Sequence, residues 1–548
     1  MRGRIRSAVI LVSLGIAGVV AVSSAQSPAA APSSVASSAV AQLKQLAYLK
    51  SSNAEAGDHF GCGGVLDGHA GYGAAVSGDG NTIAIGAPHE SSAAKGINGD
   101  QKDDSASDAG AVYVFTRSGA NWSQQAYVKA SNTDASDHFG HAVALSADGN
   151  TMAVSAFWES SNARGVNGDQ SDNSIPQAGA VYVFTRRGTT WTQQAYIKAS
   201  NTGEAGTQDT FGDGDQFGFS MALSDDGSVL AVGAITEDSR SPGINGDQAD
   251  NTAVSAGAVY VYGRTGTTWA QQAYVKPGNP DPADMFGYTV SLSADGSTLA
   301  VGSYDEGGSS RTINGPPDNM RRGAGAVYVF ARTAAVWTQQ AYIHASNGEA
   351  GDSFGVHVVL SDDGDTLLAG SLDEDCLATG VNPTMSCDND RAADISTGAA
   401  YVFVRSGGTW SQQAFLKASN TMASDWFGSR LALSGDGNTA AIGAALEGSA
   451  ARGINGRQND ASATDSGAVY FFTRKGTSWA QQAYVKASNA EAFDEFGSAV
   501  ALSRDGRTMV VTSKSEDSAA RGVNGNQADN SADEAGAAYV FGVSGAAF

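Results

Sequence analysis

Short stretches of alternating small and apolar residues, separated by polar turns and loops, run along this chain from residue 41 onward. In one unit, residues 139–146 (FGHAVALS) and 151–156 (TMAVSA) flank a tight turn, and a long polar loop leads to residues 179–186 (GAVYVFTR) and 191–199 (WTQQAYIKA). Alternating runs bounded by Gly, Asp and Asn are typical of β-strands joined by hairpin turns. The unit therefore predicts four short antiparallel strands.

This unit is written seven times, with a period of about 70 residues. Every copy contains D-x-F-G and then S-x-D-G, and six copies contain W-x-Q-Q. A period of this length with four strands per copy is typical of a β-propeller, in which each copy forms one blade. We therefore predict an all-β, seven-bladed β-propeller of four-stranded antiparallel blades over residues 41–548. The Phe of F-G stands at Phe60, Phe139, Phe217, Phe286, Phe354, Phe427 and Phe496.

The two ends of the repeat region indicate how the ring closes. The last copy ends after its third predicted strand and lacks a W-x-Q-Q segment, whereas residues 42–50 (QLKQLAYLK) resemble the fourth strands elsewhere. Pairing this N-terminal strand with the last copy would complete the seventh blade and leave no unpaired edge. We expect closure of this kind.

The connections between the strands differ in length and alternate between the two faces of the predicted disc. Those between first and second strands and between third and fourth strands are short, and we call their side the short-turn face. The other two connections of each copy are long, acidic and variable, and their side is the long-loop face. Binding residues usually occur on long loops held by a rigid scaffold, so the long-loop face is the expected binding surface.

The net charge of the chain indicates which kinds of partner it can bind. Asp and Glu number 56 against 33 Lys and Arg, which gives a net charge of -23. Such a balance argues against nucleic acid and against strong contact of the mature chain with anionic membranes. It suits cations, basic proteins or neutral glycans.

The N-terminus predicts export. Residues 1–25 carry Arg2, Arg4 and Arg6, then an apolar core and small residues at a cleavage site, as a signal peptide does. An uncleaved anchor is the alternative, although the apolar run is short for a membrane span. Residues 26–40, rich in Ala, Ser and Pro, predict a flexible linker. The expected location is therefore secreted, periplasmic or cell-surface.

Three cysteines are present. Cys376 and Cys387 share one loop of the fifth copy, and an exported protein allows them to form a disulfide. Cys62, in the first copy, is left over, either as a free thiol or for pairing with another chain.

The F-G dipeptides, together with Ile85-Gly86-Ala87-Pro88, resemble the FG-GAP repeat of integrin α-subunit propellers. Residues 232–234 (VGA) and 442–444 (IGA) keep part of the second element. The chain is similar to bacterial, integrin-like FG-GAP proteins that combine an export signal with one propeller, and the resemblance covers nearly all residues from 41 onward. It implies an extracytoplasmic setting and binding of proteins or glycans. The family's D-x-D-x-D-G calcium loops have no counterpart, because short turns such as residues 146–149 stand in their place.

A second repeated phrase, R-G-[IV]-N-G-x-Q-x-D-N, occupies the long loops. Its Asp and Asn oxygens are ligands of the kind that calcium prefers, which makes calcium the one candidate cofactor. Alternatively, Asn-Gly forms a turn and the later Asp and Asn side chains bind local backbone amides. The candidate metal ligands are Asp100, Asp103, Asn167, Asp169, Asp172, Asn245, Asp247, Asp250, Asn524 and Asp529.

Other recurring residues are interpreted as structural. The Glu before the phrase is expected to pair with the Arg or Lys five residues later: Glu90 with Lys95, Glu159 with Arg164, Glu447 with Arg452 and Glu516 with Arg521. The Asp of D-x-F-G is expected to accept hydrogen bonds from turn amides. The repeated Trp residues, such as Trp191, are expected to pack between blades.

Residues that break the repeat are better binding candidates. Trp158 and Trp426 lie outside the regular Trp position, in or beside long loops, where they could stack on a sugar ring or anchor a protein partner. No catalytic motif stands out, so we expect a non-enzymatic, adhesion-type protein that binds protein or matrix partners. A glycan-binding lectin with repeated pockets is the alternative, and a hydrolase on a propeller scaffold is a third, less favoured one.

Overall fold

A computed structural model describes residues 42–62, 72–203, 214–384, 387 and 395–544. Within these residues, 28 strands form seven four-stranded antiparallel sheets arranged as the blades of a β-propeller, and every regular element is a strand. No helix in this part of the chain has the length and apolar character needed to cross a membrane. The predicted signal peptide 1–25 and linker 26–40 lie outside the described residues. The predicted fold class is confirmed.

Blades 1 to 6 each consist of four strands consecutive in sequence, and blade 7 combines the last three strands with the first. The strands are, in chain order, β1 Gln42–Leu49; β2 Ala74–Val76, β3 Thr82–Ala87, β4 Ala111–Ser118 and β5 Asn121–Val128 of blade 1; β6 Phe139–Leu145, β7 Thr151–Ala156, β8 Ala180–Arg187 and β9 Thr190–Ile197 of blade 2; β10 Phe217–Leu223, β11 Val229–Ala234, β12 Ala258–Thr265 and β13 Thr268–Val275 of blade 3; β14 Thr289–Leu292, β15 Thr298–Ser303, β16 Ala326–Thr333 and β17 Val336–Ile343 of blade 4; β18 Phe354–Leu360, β19 Thr366–Ser371, β20 Ala399–Ser406 and β21 Thr409–Leu416 of blade 5; β22 Arg430–Leu433, β23 Thr439–Ala444, β24 Ala468–Lys475 and β25 Ser478–Val485 of blade 6; β26 Phe496–Leu502, β27 Thr508–Ser513 and β28 Ala537–Ser544 of blade 7.

The ring closes where the sequence predicts. Strand β1 pairs antiparallel with β28, from Gln42 opposite Ser544 to Leu49 opposite Ala538. A second link joins blade 1 to blade 7, because the backbone N–H of Phe60 donates to the carbonyl of Ala535 at 3.0 Å. The N-terminal strand therefore completes the seventh blade.

The S-x-D-G turn explains why first and second strands form tight hairpins. In blade 2, Ser146 Oγ donates to Asp148 Oδ1 at 2.6 Å and accepts the backbone N–H of Thr151 at 2.9 Å. Gly149 supplies a backbone φ of 64°, which glycine adopts without steric cost. The predicted short turns are confirmed on the short-turn face, and the long connections lie on the other.

The two glycines of the repeat meet between adjacent blades. A Cβ on Gly86, in β3 of blade 1, would collide with the backbone oxygen of Gly140 in β6 of blade 2. The same contact recurs for Gly233 with Gly287, Gly302 with Gly355, Gly370 with Gly428 and Gly443 with Gly497. Close approach of two backbones at the blade interface is therefore the physical reason for both motifs.

The hydrophobic core lies between blades. Trp191 of β9 is 2% exposed and shares one apolar cluster with Val112, Ala126 and Val128 of blade 1. Its Nε1 donates to Gln125 Oε1 of the preceding blade at 3.0 Å, and the Arg186 guanidinium lies over its ring. The predicted packing role of the repeated Trp residues is confirmed.

Candidate binding face

A buried polar network holds the base of each long loop. In blade 2, Glu159 Oε2 lies 2.8 Å from Lys198 Nζ, while Glu159 Oε1 accepts Tyr196 OH and Asn132 Nδ2, both at 2.9 Å. Neither charged side chain is more than 1% exposed. Burial lowers the pKa of Lys198, and the adjacent carboxylate acts in the opposite direction. Because Asn132 comes from the preceding connection, the network fixes one loop against the next.

Six blades contain this buried pair, with Nζ to carboxylate distances of 2.7–2.9 Å. Blade 4 differs, since His344 stands at the lysine position and Glu306 is bound by Tyr342 OH at 2.6 Å. Burial raises the pKa of Glu306. The pairs are Glu90–Lys129, Glu159–Lys198, Glu237–Lys276, Glu374–Lys417, Glu447–Lys486 and Glu516–Lys50.

The expected pairing of these glutamates with the next basic residue is therefore wrong. Arg164 donates to the carbonyl of Thr202 at 3.4 Å, and Arg452 lies 3.6 Å from Glu491. Likewise Arg521 lies 3.9 Å from Glu55, and Lys95 has an exposed side chain. The sequence did contain a signal for the true partner, because Tyr-x-Lys recurs in the fourth strands, as in residues 196–198.

The D-x-F-G segment builds the inner part of the long-loop face. Asp137 Oδ2 accepts the backbone N–H of Asp134 at 2.9 Å, as the sequence predicts for a turn, and five other blades repeat this bond. The next residue, His138, has a φ of 55° and donates its N–H to the carbonyl of Asp108 in the preceding blade at 3.0 Å. The backbone therefore links neighbouring blades at this point.

The residue x of D-x-F-G is left-handed in all seven blades, with φ between 49° and 57°. Its side chain differs in every blade except blades 1 and 2, so one geometry presents a variable set of groups. Left-handed backbone is uncommon for residues other than glycine, and such positions often serve function. We call the set the central ring: His59, His138, Gln216, Met285, Ser353, Trp426 and Glu495.

One side of the central ring adjoins an apolar cluster drawn from five blades. Phe219 lies between Phe157, at 5.9 Å between ring centroids, and Tyr288, at 5.1 Å. The sequence did not show that these side chains meet, since they come from five blades that are distant in sequence. Its buried members are Phe157, Phe219, Ile235, Met285, Tyr288, Val356 and Leu372, and its partly exposed members are Trp158, Tyr304 and Trp426.

Both binding candidates from the sequence belong to this cluster. Trp158 follows β7 of blade 2 and Trp426 precedes β22 of blade 6, yet both pack on the same buried group. The Trp158 ring also meets His138 edge-on, with 4.5 Å between centroids. Together with Tyr304, these rings form an aromatic rim around buried apolar side chains.

The opposite side of the central ring is polar. Lys514 Nζ lies 2.9 Å from Glu495 Oε2, and His89 Nδ1 lies 2.8 Å from Asp108 Oδ1. Burial lowers the pKa of His59 and of His138 to about 4, so both imidazoles are neutral at pH 7. The face therefore has an apolar half and a polar half.

The candidate calcium ligands lie in turns. Asn167 Oδ1 accepts the backbone N–H of Tyr196 at 3.0 Å, and Asn245 and Asn524 do the same for Tyr274 and Tyr48. Asp169 Oδ1 accepts the N–H of Ser171 at 2.9 Å. The same bond to the amide two residues later is made by Asp100, Asp103, Asp172, Asp247, Asp250 and Asp529. Calcium binding by these loops stays a prediction.

The structure places Cys376 and Cys387 in a disulfide. In the described part of the chain, Glu374 and these two sulfurs are the one group of three metal-ligating atoms close together, and the disulfide occupies both sulfurs. Cys62 is buried.

Two open grooves run between blades at the outer part of the long-loop face. One is lined by Asp134, Asp169 and Asn173, the other by Asp281, Asp305 and Asn319. They are equivalent, because Asn173 donates to Asp134 at 2.9 Å and Asn319 to Asp281 at 3.0 Å. Neither described lining includes an aromatic ring.

Comparison with known proteins identifies the repeat. The FG-GAP repeat family matches residues 122–184, 337–403, 410–472 and 479–541. These segments run from a fourth strand to the third strand of the next blade. Among curated proteins, none is significantly similar to the chain.

Solved structures give distant likenesses. A putative 6-phosphogluconolactonase from Bacteroides uniformis is 10% identical, with a TM-score of 0.41 over 76% of this chain and 85% of that one. The periplasmic gluconolactonase PpgL of Pseudomonas aeruginosa is 14% identical, with a TM-score of 0.41 over 76% and 86%. Hydrazine synthase of Kuenenia stuttgartiensis is 12% identical, with a TM-score of 0.43 over 82% and 93%. Likenesses this distant carry no information about function.

Proposed function

Because the chain is an FG-GAP-repeat β-propeller, we propose that it is an exported, non-enzymatic binding protein that recognises a protein or matrix partner through the centre of its long-loop face. The observation that carries this proposal is the aromatic rim of Trp158, Tyr304 and Trp426 on a packed apolar cluster. Partly exposed aromatic rings on a rigid base are typical of the residues that dominate binding energy at protein interfaces.

The asymmetry of this face supports a protein partner over a glycan. A lectin with repeated sites needs equivalent pockets, each with a ring on which a sugar can stack. The equivalent grooves between blades have no aromatic ring in their described linings, whereas the aromatic rim is a single patch. The polar half, with Lys514, Glu495 and His89, provides the hydrogen-bonding border that surrounds an apolar contact at a protein interface.

Binding of purified extracellular-matrix proteins, measured by biolayer interferometry beside a glycan array, tests the proposal. We expect Trp158→Ala and Trp426→Ala each to weaken binding of the matrix partner about 30-fold, as loss of a central aromatic residue does. Parallel runs with calcium and with EDTA measure any contribution of calcium.

Val336→Ala is the matched control, because Val336 is 64% exposed on the short-turn face and its loss should leave binding unchanged. Binding to glycans alone would favour the lectin. Full matrix binding by both Trp variants, or no matrix binding by the wild type, would contradict the proposal.

A further inference from the structure

A cavity of about 240 Å³ lies on the axis of the propeller, lined by residues of the innermost strands. It extends from Tyr72, His357 and Arg430 to Leu145 and Leu502, which end β6 and β26 at the short-turn side. Tyr72 bounds the end of the cavity opposite the short-turn side. Its ring stacks on His357 with 5.0 Å between centroids, and its hydroxyl forms a hydrogen bond with the Thr289 hydroxyl. The cavity is therefore small and bounded by several blades.

Arg430 brings to this cavity a positive charge that no carboxylate among the described residues balances. It is 8% exposed, and its Nε and Nη1 donate to the carbonyls of Ser498 and Ser429 at 2.8 and 2.7 Å. In the described part of the chain, no carboxylate forms an ion pair with it, and Nη2 has no hydrogen-bond partner. The nearby carboxylate of Glu495 is already paired with Lys514.

The other buried Lys and Arg residues of the fold are paired with carboxylates. Seven Lys and Arg residues are buried in the described chain, and six of them, the lysines of the blades, each have a glutamate within 2.9 Å. A buried cation without a partner is costly, so such groups are normally paired. Arg430 is therefore the exception among the buried Lys and Arg residues of the described chain, because it has no carboxylate partner there.

The surroundings favour an anion with one negative charge. Among the described residues, Arg430 contributes one positive charge without an ion-pair partner, whereas the charges of Glu495 and Lys514 cancel. His357, which lines the same cavity, is neutral because burial lowers its pKa to about 3, and its Nδ1 has no partner within the described residues. A planar guanidinium matches a carboxylate geometrically.

We propose that the axial cavity is a binding site for a small carboxylate, held by the guanidinium of Arg430. The size of the cavity limits the ligand to a few carbon atoms, since drug-sized ligands occupy roughly 300–1,000 Å³. Arg504 narrows the short-turn end by pairing with both Asp225 and Asp362, which also restricts access to small molecules. This site is separate from the aromatic rim.

Calorimetric melting of the full chain in sodium acetate and sodium butyrate, against sodium chloride and sodium sulfate at equal ionic strength, tests this site. We expect a saturable rise in Tm with the carboxylates, of about 2–3 °C at a concentration 100 times Kd. Chloride should give no such rise. Sulfate raises Tm by exclusion from the protein surface, so its effect should not saturate and should be the same in wild type and in a variant without the site.

The variant Arg430→Ser should lose the response and still fold, because blade 3 has Ser220 at the equivalent position. Arg507→Ser, which removes an arginine 66% exposed at its side chain, is the control and should keep it. Broadening of the acetate NMR signal by wild type but not by Arg430→Ser gives a second readout. Equal Tm shifts with chloride and acetate, a saturable rise with sulfate that Arg430→Ser loses, or an unchanged acetate response in Arg430→Ser would each overturn the proposal.

Discussion

Lys198 illustrates how much a single buried side chain contributes to each blade. Its ammonium is fully buried and lies 2.8 Å from Glu159. Removal of one member of such a pair leaves the other charge buried without a partner, which costs about 3–5 kcal/mol. We therefore expect Lys198→Met to lower the free energy of unfolding by about this amount, as measured by urea denaturation.

The double variant Glu159→Gln/Lys198→Met distinguishes the cost of an unpaired buried charge from the cost of altered packing. A glutamine at position 159 is neutral and can still accept from Tyr196 and Asn132, so most of the lost stability should return. If Lys198→Met alone is as stable as wild type, the pair contributes nothing to folding.

Two acidic residues of the repeat show which side-chain contacts can be predicted from the sequence. The Asp of D-x-F-G was predicted correctly, because its partner is the amide three residues earlier and the repeat makes the turn visible. The partner of Glu159 was not, because Lys198 lies 39 residues away, directly after β9, and a basic residue stood closer in sequence. Local hydrogen bonds can be read from a repeat, whereas contacts across a blade depend on strand register.

Second strands are constrained by the blade that follows them. Gly86 in β3 faces the backbone of Gly140, and a methyl group there would require one blade to move. We expect Gly86→Ala to lower the free energy of unfolding by about 1–3 kcal/mol, the usual effect of overpacking a tight interface.

Thermal unfolding of Gly86→Ala beside Gly448→Ala measures this effect. Gly448 lies in a loop, and the nearest atom to an added Cβ is 3.9 Å away. The control should stay within about 0.5 kcal/mol of wild type, as most surface substitutions do. Equal melting of the two variants would show that blade spacing tolerates a methyl group.

Most of the strands were predictable from the sequence, and the short strand β2 differs because of an insertion in its own copy of the repeat. Residues 139–146 and 151–156 were assigned as strands and correspond to β6 and β7. In blade 1 the innermost strand β2 is three residues long, because an insertion separates Cys62 from Tyr72. The aromatic rim was only half predicted, since Trp158 and Trp426 stood out from the repeat but Tyr304 and its buried neighbours did not.

At the scale of the whole molecule, one strand from the N-terminus supports the closure of the ring. Strand β1 buries Ala47 and Leu49 in the core between blades 7 and 1 and Tyr48 in the core between blades 6 and 7. Lys50 is the partner of the buried Glu516. Without β1, the edge of β28 would be unpaired, the carboxylate of Glu516 would lose its cation, and the contact between blades 7 and 1 would lose part of its core. Strand β1 thus contributes to both contacts that blade 7 makes with its neighbours.

Deletion of residues 1–50 should therefore lower Tm by more than about 10 °C and promote association through the exposed edge, measured by calorimetry and by light scattering. Deletion of residues 1–40 is the matched control, because it ends before β1 begins at Gln42 and should melt like the full chain. A synthetic peptide of residues 41–52 added to the shorter protein should restore much of the lost Tm, since it supplies both the strand and Lys50. If the two deletions melt alike, blades 1 and 7 hold together without the strand, and closure depends instead on contacts such as that between Phe60 and Ala535.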